Sequence, residues 1–458
     1  MKKLLVIFLF ISNLLAITTQ TLSSKNLEIL NSLDIETDFI NDKTTNKLFK
    51  NYSQKRKKYF LNVLENGYTY IPLIKQEIQK ANIPSNLLFV AMAESYFSSK
   101  AKSRKKAIGL WQFIPATARH FGLKIDNYVD ERKDPIKSTI AAVKYLSYLK
   151  EKTKKWYLAI MAYNCGEARI IEAITRAKLD KYCKTYQCKK DKTIRKYRTI
   201  IKKYQYHKGT FASLYRVYEK VNKLYPRDLT ISELLKVQHK LKRQYLPKET
   251  RKYIRKIIAM SFLLNSTNFV AYQNHYLLNR GNVSNLIKVN VPAGTSLNYL
   301  AKLLKIDYNE LLRNNRHLKY GFTPPKKESY IYIPYEKLAD FRLNFKNSNI
   351  PKKIVYKVKK GDSLSTIAHK FGLSYKVIKD FNHLRSNLLK INQKLVIPIK
   401  NNLKIKKEIV YKVKKGDNLK YLAKKFHTKF ETIKKINHLK DDTIYQNQKL
   451  IIPIYVSL

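Results

Sequence analysis

A repeat near the C-terminus constrains this chain more than any other feature. Val355-Tyr-Lys-Val-Lys-Lys-Gly361-Asp-Ser-Leu364 recurs almost letter for letter, 55 residues later, as Val410-Tyr-Lys-Val-Lys-Lys-Gly416-Asp-Asn-Leu419. In both copies the Asn of an Asn-His-Leu triplet (Asn382, Asn437) follows the Gly by 21 residues, and the Pro of a closing Ile-Pro-Ile (Pro398, Pro453) follows it by 37. Repetition at fixed offsets marks each copy as one structural unit. A degraded third copy lies upstream: Ile287-Lys-Val-Asn-Val-Pro-Ala-Gly294-Thr-Ser-Leu297, then Asn315, then Ile331-Tyr-Ile-Pro334. It lacks the Gly-Asp pair and carries an insertion of three residues before its final Pro.

Each copy reads as strand, helix, helix, strand. Tyr356-Lys-Val alternates as a strand does, and Lys-Lys-Gly-Asp is a turn in which glycine supplies a permissive φ. Leu364, Ile367, Ala368 and Phe371 are spaced as one face of a short helix. Tyr375 to Phe381 gives a second helix, and Leu395-Val-Ile-Pro-Ile a second strand. This unit resembles the LysM module, which binds glycans containing N-acetylglucosamine. The resemblance covers 353–399 and 409–455 well and 286–335 weakly. It implies a shallow glycan groove between the Gly-Asp turn and the loop after the second helix. By position that means Gly361, Asp362, Ser363 and Asn382, then Gly416, Asp417, Asn418 and Asn437. A βααβ repeat with a purely structural role is the competing reading. Residues 336–352 and 400–408 read as polar, Lys/Asn-rich linkers.

The other end of the chain speaks to location. Met1-Lys-Lys precedes a mostly apolar run from Leu4 to Ile17, the pattern of a secretory signal. The run is short of the about 20 residues that span a bilayer. Leu14 stands where a small residue is expected ahead of a cleavage after Ala16, so residues 1–17 are either a signal peptide or an N-terminal anchor. Export to the periplasm or cell envelope is the expectation. Residues 18–60 carry no functional signal.

With 92 Lys+Arg against 33 Asp+Glu, the formal charge is +59, which suits an anionic partner: nucleic acid, a membrane surface or an acidic polymer such as cell-wall glycan. A coding bias toward Lys, Asn, Ile and Tyr would produce the same charge. Export argues against nucleic acid and leaves peptidoglycan strands, with peripheral or anchored membrane association. Cys183 and Cys188 are close enough to pair in an oxidising compartment, and Cys165 would remain a free thiol. The cysteines show neither CxxC nor HExxH spacing, so no metal and no cofactor is expected.

Residues 70–180 read as helical, within a catalytic domain expected over 61–265. Leu87-Leu-Phe-Val-Ala-Met-Ala93 is a nearly all-apolar helix ending in Glu94. A carboxylate there is costly unless exposed, paired or useful, and desolvation raises its pKa as a general acid requires. A solvent-facing Glu at a helix end would look identical in sequence.

The neighbouring residues decide between the two. The run Glu94-Ser-Tyr-Phe-Ser-Ser-Lys-Ala101-Lys-Ser103-Arg-Lys-Lys-Ala107-Ile-Gly109-Leu-Trp111-Gln112 resembles the signature of lysozyme-like lytic transglycosylases, glycoside hydrolase family 23. Ala162-Tyr163-Asn164-Cys165-Gly166 matches the family's second block. Asp130-Glu-Arg132-Lys-Asp134-Pro135 leads into a family-like helix with a double Ala (Ala141, Ala142). Leu246-Pro-Lys-Glu-Thr250-Arg-Lys-Tyr253 resembles an element of the membrane-bound lytic murein transglycosylase D subfamily, and Trp111 before Gln112 with C-terminal LysM copies fits that subfamily. The family usually has Gly at the positions of Lys106 and Ala168, departures that bear on loop geometry. The fold implied is α+β and multidomain: a mainly α-helical lysozyme-like catalytic domain followed by small βααβ LysM modules.

Residues 181–230, before the Leu-Pro-x-Glu-Thr element, look like a basic insertion with 15 Lys+Arg, three acids and eight Tyr. It is either a wall for anionic glycan or a solvated helical decoration.

Glycosidases ordinarily need two carboxylates, but the matched blocks offer one convincing acid, Glu94. One suffices if the substrate supplies the nucleophile. The resemblance implies that Glu94 protonates the β-1,4 oxygen between N-acetylmuramic acid and N-acetylglucosamine. It then accepts the proton of the muramoyl C6 hydroxyl, which closes onto C1 as a 1,6-anhydro ring. Ser95 and Ser103 are expected to orient Glu94 or an N-acetyl group. Gln112 and Asn164 suit hydrogen bonds to glycan, and Tyr163 suits a hydroxyl near Glu94. Trp111 is equally a stacking platform or a core residue. A hydrolytic muramidase would need a second acid, with Asp130, Glu131 and Asp134 as its candidates. A non-catalytic peptidoglycan-binding scaffold is the alternative from another class.

Overall fold

The computed structural model describes residues 24–265, 285–346, 354–398 and 404–457, apart from 240, 326–327, 372, 415, 427 and 440. The apolar segment 1–17 lies outside the described residues. Among the described residues no helix is long and apolar enough to cross a membrane. Among the described residues helices dominate, and the strands form three two-stranded antiparallel sheets, an α+β arrangement. The chain divides into two compact units, one reaching to residue 285 without 126–129, the other holding 126–129 and everything from Leu286 onward.

The first unit is helical. Its elements are α1 (Ser24–Ser32), α2 (Lys43–Lys50), α3 (Lys57–Gly67), α4 (Ile71–Lys80), α5 (Leu88–Ser95), α6 (Pro115–His120), α7 (Pro135–Thr153), α8 (Trp156–Cys165), α9 (Glu167–Tyr186), α10 (Lys192–Gln205), α11 (Phe211–Leu224), α12 (Ile231–Leu235) and α13 (Lys248–Asn265). Local chemistry explains where several of them start. Asp134 caps α7 by accepting from the Ile136 and Lys137 amides, and Pro135 occupies the first turn, where its missing N–H costs nothing. α13 is the axis of the unit. Ile254, Ile257, Ile258, Ala259, Met260 and Leu263 are buried along it, and it packs on α1, α2, α5 and α8.

Two regions differ from their sequence reading. Residues 24–60, which carry no motif, are part of the catalytic core: Ile29, Leu30, Leu33, Phe39 and Phe60 are buried in one cluster with Val90, Met92 and Ile257. The basic stretch 181–230 forms the end of α9 with α10 and α11. Its Ile194, Ile201, Leu214, Val217 and Val221 bury against the same core. A Cys183–Cys188 disulfide closes the turn after α9, and Cys165 is free.

The second unit contains three modules of the same βααβ plan. The first has β1 (Leu286–Val291), α14 (Leu297–Leu303), α15 (Tyr308–Asn314) and β2 (Ser329–Pro334), with Leu286 opposite Pro334. It is followed by α16 (Leu338–Lys346), whose Phe341 is buried. Much of the 336–352 stretch expected as linker is therefore helix, because Leu338, Phe341 and Phe345 join the module's core. The second module has β3 (Ile354–Lys357), α17 (Leu364–Lys370), α18 (Tyr375–Phe381) and β4 (Lys394–Ile397). The third has β5 (Lys404–Lys412), α19 (Leu419–Lys425), α20 (Phe430–Ile436) and β6 (Lys449–Ser457), so residues 404–408 are strand rather than linker.

The fixed-offset Asn is a latch. Asn382 donates to the Ile378 and Val396 carbonyls, both at 2.8 Å, and accepts from the Val396 amide at 2.6 Å, tying α18 to β4. Asn437 repeats this with Ile433 and Ile451, and Asn315 with Leu311 and Tyr332. The Asp of the turn is equally engaged. Asp362 accepts from the Tyr356 hydroxyl and the Lys359 amide, and Asp417 from Tyr411 and Lys414. Ser363 and Asn418 cap α17 and α19. Gly361 and Gly416 hold φ of +86° and +89° with open space around them, so the turn needs glycine for its backbone and not for room. Asp362, Ser363, Asn382, Asp417, Asn418 and Asn437, expected to line the glycan groove, each hold hydrogen bonds inside their own module.

Candidate active site

α5 is apolar and buried from Leu88 to Met92, and it stops where Tyr96 and Phe97 adopt positive φ of 52° and 58°. That turn drives Phe97 into the core and leaves Glu94 on the last helical turn, half-buried. The Glu94 Oε1 accepts a hydrogen bond from the Tyr253 hydroxyl at 2.7 Å. Burial raises the Glu94 pKa from 4.5 to about 7. The Tyr253 hydrogen bond and the Lys256 ammonium pull it back, and Glu249, exposed on the first turn of α13, pushes it up. Glu94 is therefore protonated through a large part of the neutral range, the state in which a carboxyl can donate a proton to a glycosidic oxygen.

Tyr163 and Tyr253 face this carboxyl. Burial, then the negative charge of Glu94, hold both phenols far above their ordinary range, so both remain hydroxyls. Tyr163 donates to the Trp111 carbonyl at 2.7 Å. Its neighbour Asn164, near the end of α8, accepts from the Thr250 hydroxyl at 2.8 Å, which joins α8 to the first turn of α13.

The remaining expected residues shape the loop that follows α5. Ser95 is buried and donates to the Leu110 carbonyl at 2.8 Å and to Ala91 at 3.2 Å; it fastens the loop and does not bond Glu94. Ser103 accepts from the Ala107 amide at 3.1 Å. Gln112 donates to the Gly109 and Ala101 carbonyls at 2.8 and 3.2 Å, with a φ of +49°. Lys106, where the family has Gly, sits in the left-handed region at φ +62°. The side chains of Ser95, Ser103 and Gln112, expected to orient Glu94 or to meet glycan, are hydrogen-bonded to the backbone of α5 and of the loop that follows it. Trp111 is a core residue: it is fully buried and its indole donates to Thr139 at 3.0 Å.

The three candidate second acids are occupied. Asp130 holds Arg132 in a bidentate pair at 2.9 and 2.8 Å, and that guanidinium reaches the Lys106 and Phe113 carbonyls. Glu131 accepts from Lys137 at 2.5 Å and from the Lys124 amide, and Asp134 is the α7 cap. Among the described residues no cluster suits a metal ion.

Sequence reasoning missed two groups, Tyr253 as the partner of Glu94 and Lys256 beside it. A signal was present. Thr250, Tyr253 and Lys256 recur at intervals of three, which places them along one side of α13.

Comparison with known proteins identifies the domains. Residues 72–184 match the Transglycosylase SLT domain, 285–349 match the LysM-like domain of lytic transglycosylase MltD, and 356–398 and 411–453 match the LysM domain. The chain is 25% identical over 404 residues to membrane-bound lytic murein transglycosylase D of Escherichia coli K12, covering 84% of this chain and 76% of that protein. It is also 37% identical over 107 residues to the N-acetylmuramoyl-L-alanine amidase sle1 of Staphylococcus epidermidis, 22% of this chain and 33% of that one. On these matches the chain is a lytic transglycosylase of the MltD type, a peptidoglycan-cleaving lyase with C-terminal peptidoglycan-binding LysM modules.

Proposed function

We propose that the enzyme cleaves the β-1,4 bond between N-acetylmuramic acid and N-acetylglucosamine, with Glu94 as both acid and base, and leaves 1,6-anhydro-N-acetylmuramic ends. Glu94 protonates the leaving oxygen. As the carboxylate, held by Tyr253, it then takes the proton from the muramoyl C6 hydroxyl as that oxygen bonds to C1. The intramolecular hydroxyl makes a second protein carboxylate unnecessary. Tyr163 and Asn164 position the glycan beside the carboxyl, and the loop 101–113, braced by Ser95, Ser103, Gln112 and Arg132, forms a rigid wall of the site.

The observation that carries this reading is a single carboxyl raised to about 7 by burial and bonded to a tyrosine hydroxyl, while Asp130, Glu131 and Asp134 are engaged elsewhere. The basic start and apolar run of the segment 1–17 support its role as signal peptide or anchor, which carries the catalytic unit to a substrate in the cell envelope. The LysM modules hold the enzyme on the wall through the backbone of their Gly-Asp turns and through exposed side chains: Leu388 and Ile391 in one, Tyr421 and Tyr445 in the other.

The test is mass spectrometry of muropeptides from purified walls. Wild-type protein should release anhydro-muropeptides, and Glu94→Gln should lower their rate by about a hundredfold or more. A loss of less than about tenfold removes Glu94 as the acid.

A further inference from the structure

Lys256 occupies an unusual place. It lies three residues after Tyr253 on α13, and its Nζ donates to the Ala93 carbonyl at 3.1 Å and to the Tyr96 hydroxyl at 3.2 Å. Its two partners lie immediately before and two residues after Glu94. The ammonium also sits 4.3 Å from the centroid of the Tyr96 ring. A cation at this point meets the carbonyl-rich C-terminus of α5, where positive charge is favoured. Burial pushes the Tyr96 phenol up, but Lys256, together with the Tyr59 hydrogen bond and the Arg56 charge, holds that phenol below its ordinary range.

We propose that Lys256 is a positioning residue that clasps the last turn of α5 and supplies the positive charge against which Glu94 gives up its proton, so setting the alkaline limit of activity. The inference rests on the general-acid role proposed for Glu94.

The groups acting on Glu94 come from two elements packed beside it. α13 brings Tyr253, Lys256 and Glu249, and α8 brings Tyr163. Tyr253 and Tyr163 stay neutral, so the charged neighbours are Lys256 and Glu249, of opposite sign. Tyr59 hydrogen-bonds Tyr96, and Arg56 lies 4.6 Å from the Tyr59 ring centroid, so both act on Tyr96. Lys256 lowers the Glu94 pKa, hence its removal raises it. The acid then stays protonated to higher pH, and the descending limb of kcat/KM moves up.

The test compares pH profiles of kcat/KM on soluble glycan strands for the full chain and its variants. Lys256→Met removes both charge and clasp, and Lys256→Gln keeps a neutral donor. Both should move the alkaline limb upward by about half to one pH unit, and Lys256→Arg should leave it in place. Glu249→Gln, which removes the opposing charge from an exposed side chain, should move the limb the other way and gives a readout that does not depend on the clasp. An unmoved limb in folded Lys256→Met and Lys256→Gln, with Glu94→Gln inactive, overturns the inference alone. A Glu94→Gln protein with wild-type activity overturns the function beneath it as well.

Discussion

Replacing Glu94 by Gln should stabilise the protein at neutral and alkaline pH even as it abolishes catalysis. The carboxyl pKa rises from 4.5 to about 7 on folding, chiefly by burial. Below pH 4.5 the group is neutral in both the folded and unfolded chain and favours neither. Between the two values the unfolded chain ionises while the native state keeps its proton, so native stability falls as pH rises. Above pH 7 both are ionised and the deficit levels off at about 3 kcal/mol. Glutamine has the same shape, can accept the Tyr253 hydroxyl and cannot ionise. The variant should therefore match wild type near pH 4 and exceed it by up to about 3 kcal/mol at pH 8, a rise of about 6–12 °C in the melting temperature of a unit this size. Scanning calorimetry of both full-length proteins from pH 4 to 9 at constant ionic strength, following the transition of the catalytic unit, reads this directly. A melting difference that stays constant with pH would refute the desolvation argument. So would a wild type that is the more stable at pH 8.

Tyr253→Phe removes the one hydroxyl bonded to Glu94 among the described residues, and kcat should fall by about ten- to a hundredfold with the fold intact by circular dichroism. Wild-type turnover in that variant would deny the bond a role. Gly109→Ala should cost at least about 3 kcal/mol and most of the activity, because φ is +86° and the new Cβ would lie 2.0 Å from the Arg132 carbonyl oxygen; thermal melts check it. Asn382→Ala leaves two carbonyls and an amide of its LysM module without their partner. It should lower that module's stability by about 2–3 kcal/mol and weaken retention on insoluble peptidoglycan, while turnover of soluble strands is unchanged. Weakened retention with an unaltered melt would instead mark Asn382 as a direct glycan ligand.

The modules were legible because their signals are local: a Gly in a turn of positive φ, a capped helix and an apolar closing strand within one short stretch. The placement of Glu94 was legible for the same reason, at the end of an apolar helix with its loop immediately after it. What stayed hidden depends on long-range packing. Tyr253 lies 159 residues from Glu94, and only folding brings α13 across α5. The role of residues 24–60 was invisible because burying Leu30, Phe39 and Phe60 in a shared core leaves no motif. Asn382, Asn437, Ser95, Ser103 and Gln112 illustrate a different limit. A polar residue at a fixed offset signals an obligatory hydrogen bond, and a bond to the chain's own backbone demands it as strongly as a bond to glycan does. Sequence locates such residues without revealing which partner they take.

The central claim is that the substrate's own hydroxyl, and not water, completes the reaction begun by Glu94. Digesting purified peptidoglycan in water enriched in heavy oxygen, followed by mass spectrometry of the released muropeptides, tests it most directly. The account predicts anhydro products lighter by one water than their hydrolysed counterparts and free of the label. Reducing-end products carrying heavy oxygen would contradict it and identify the enzyme as a hydrolase.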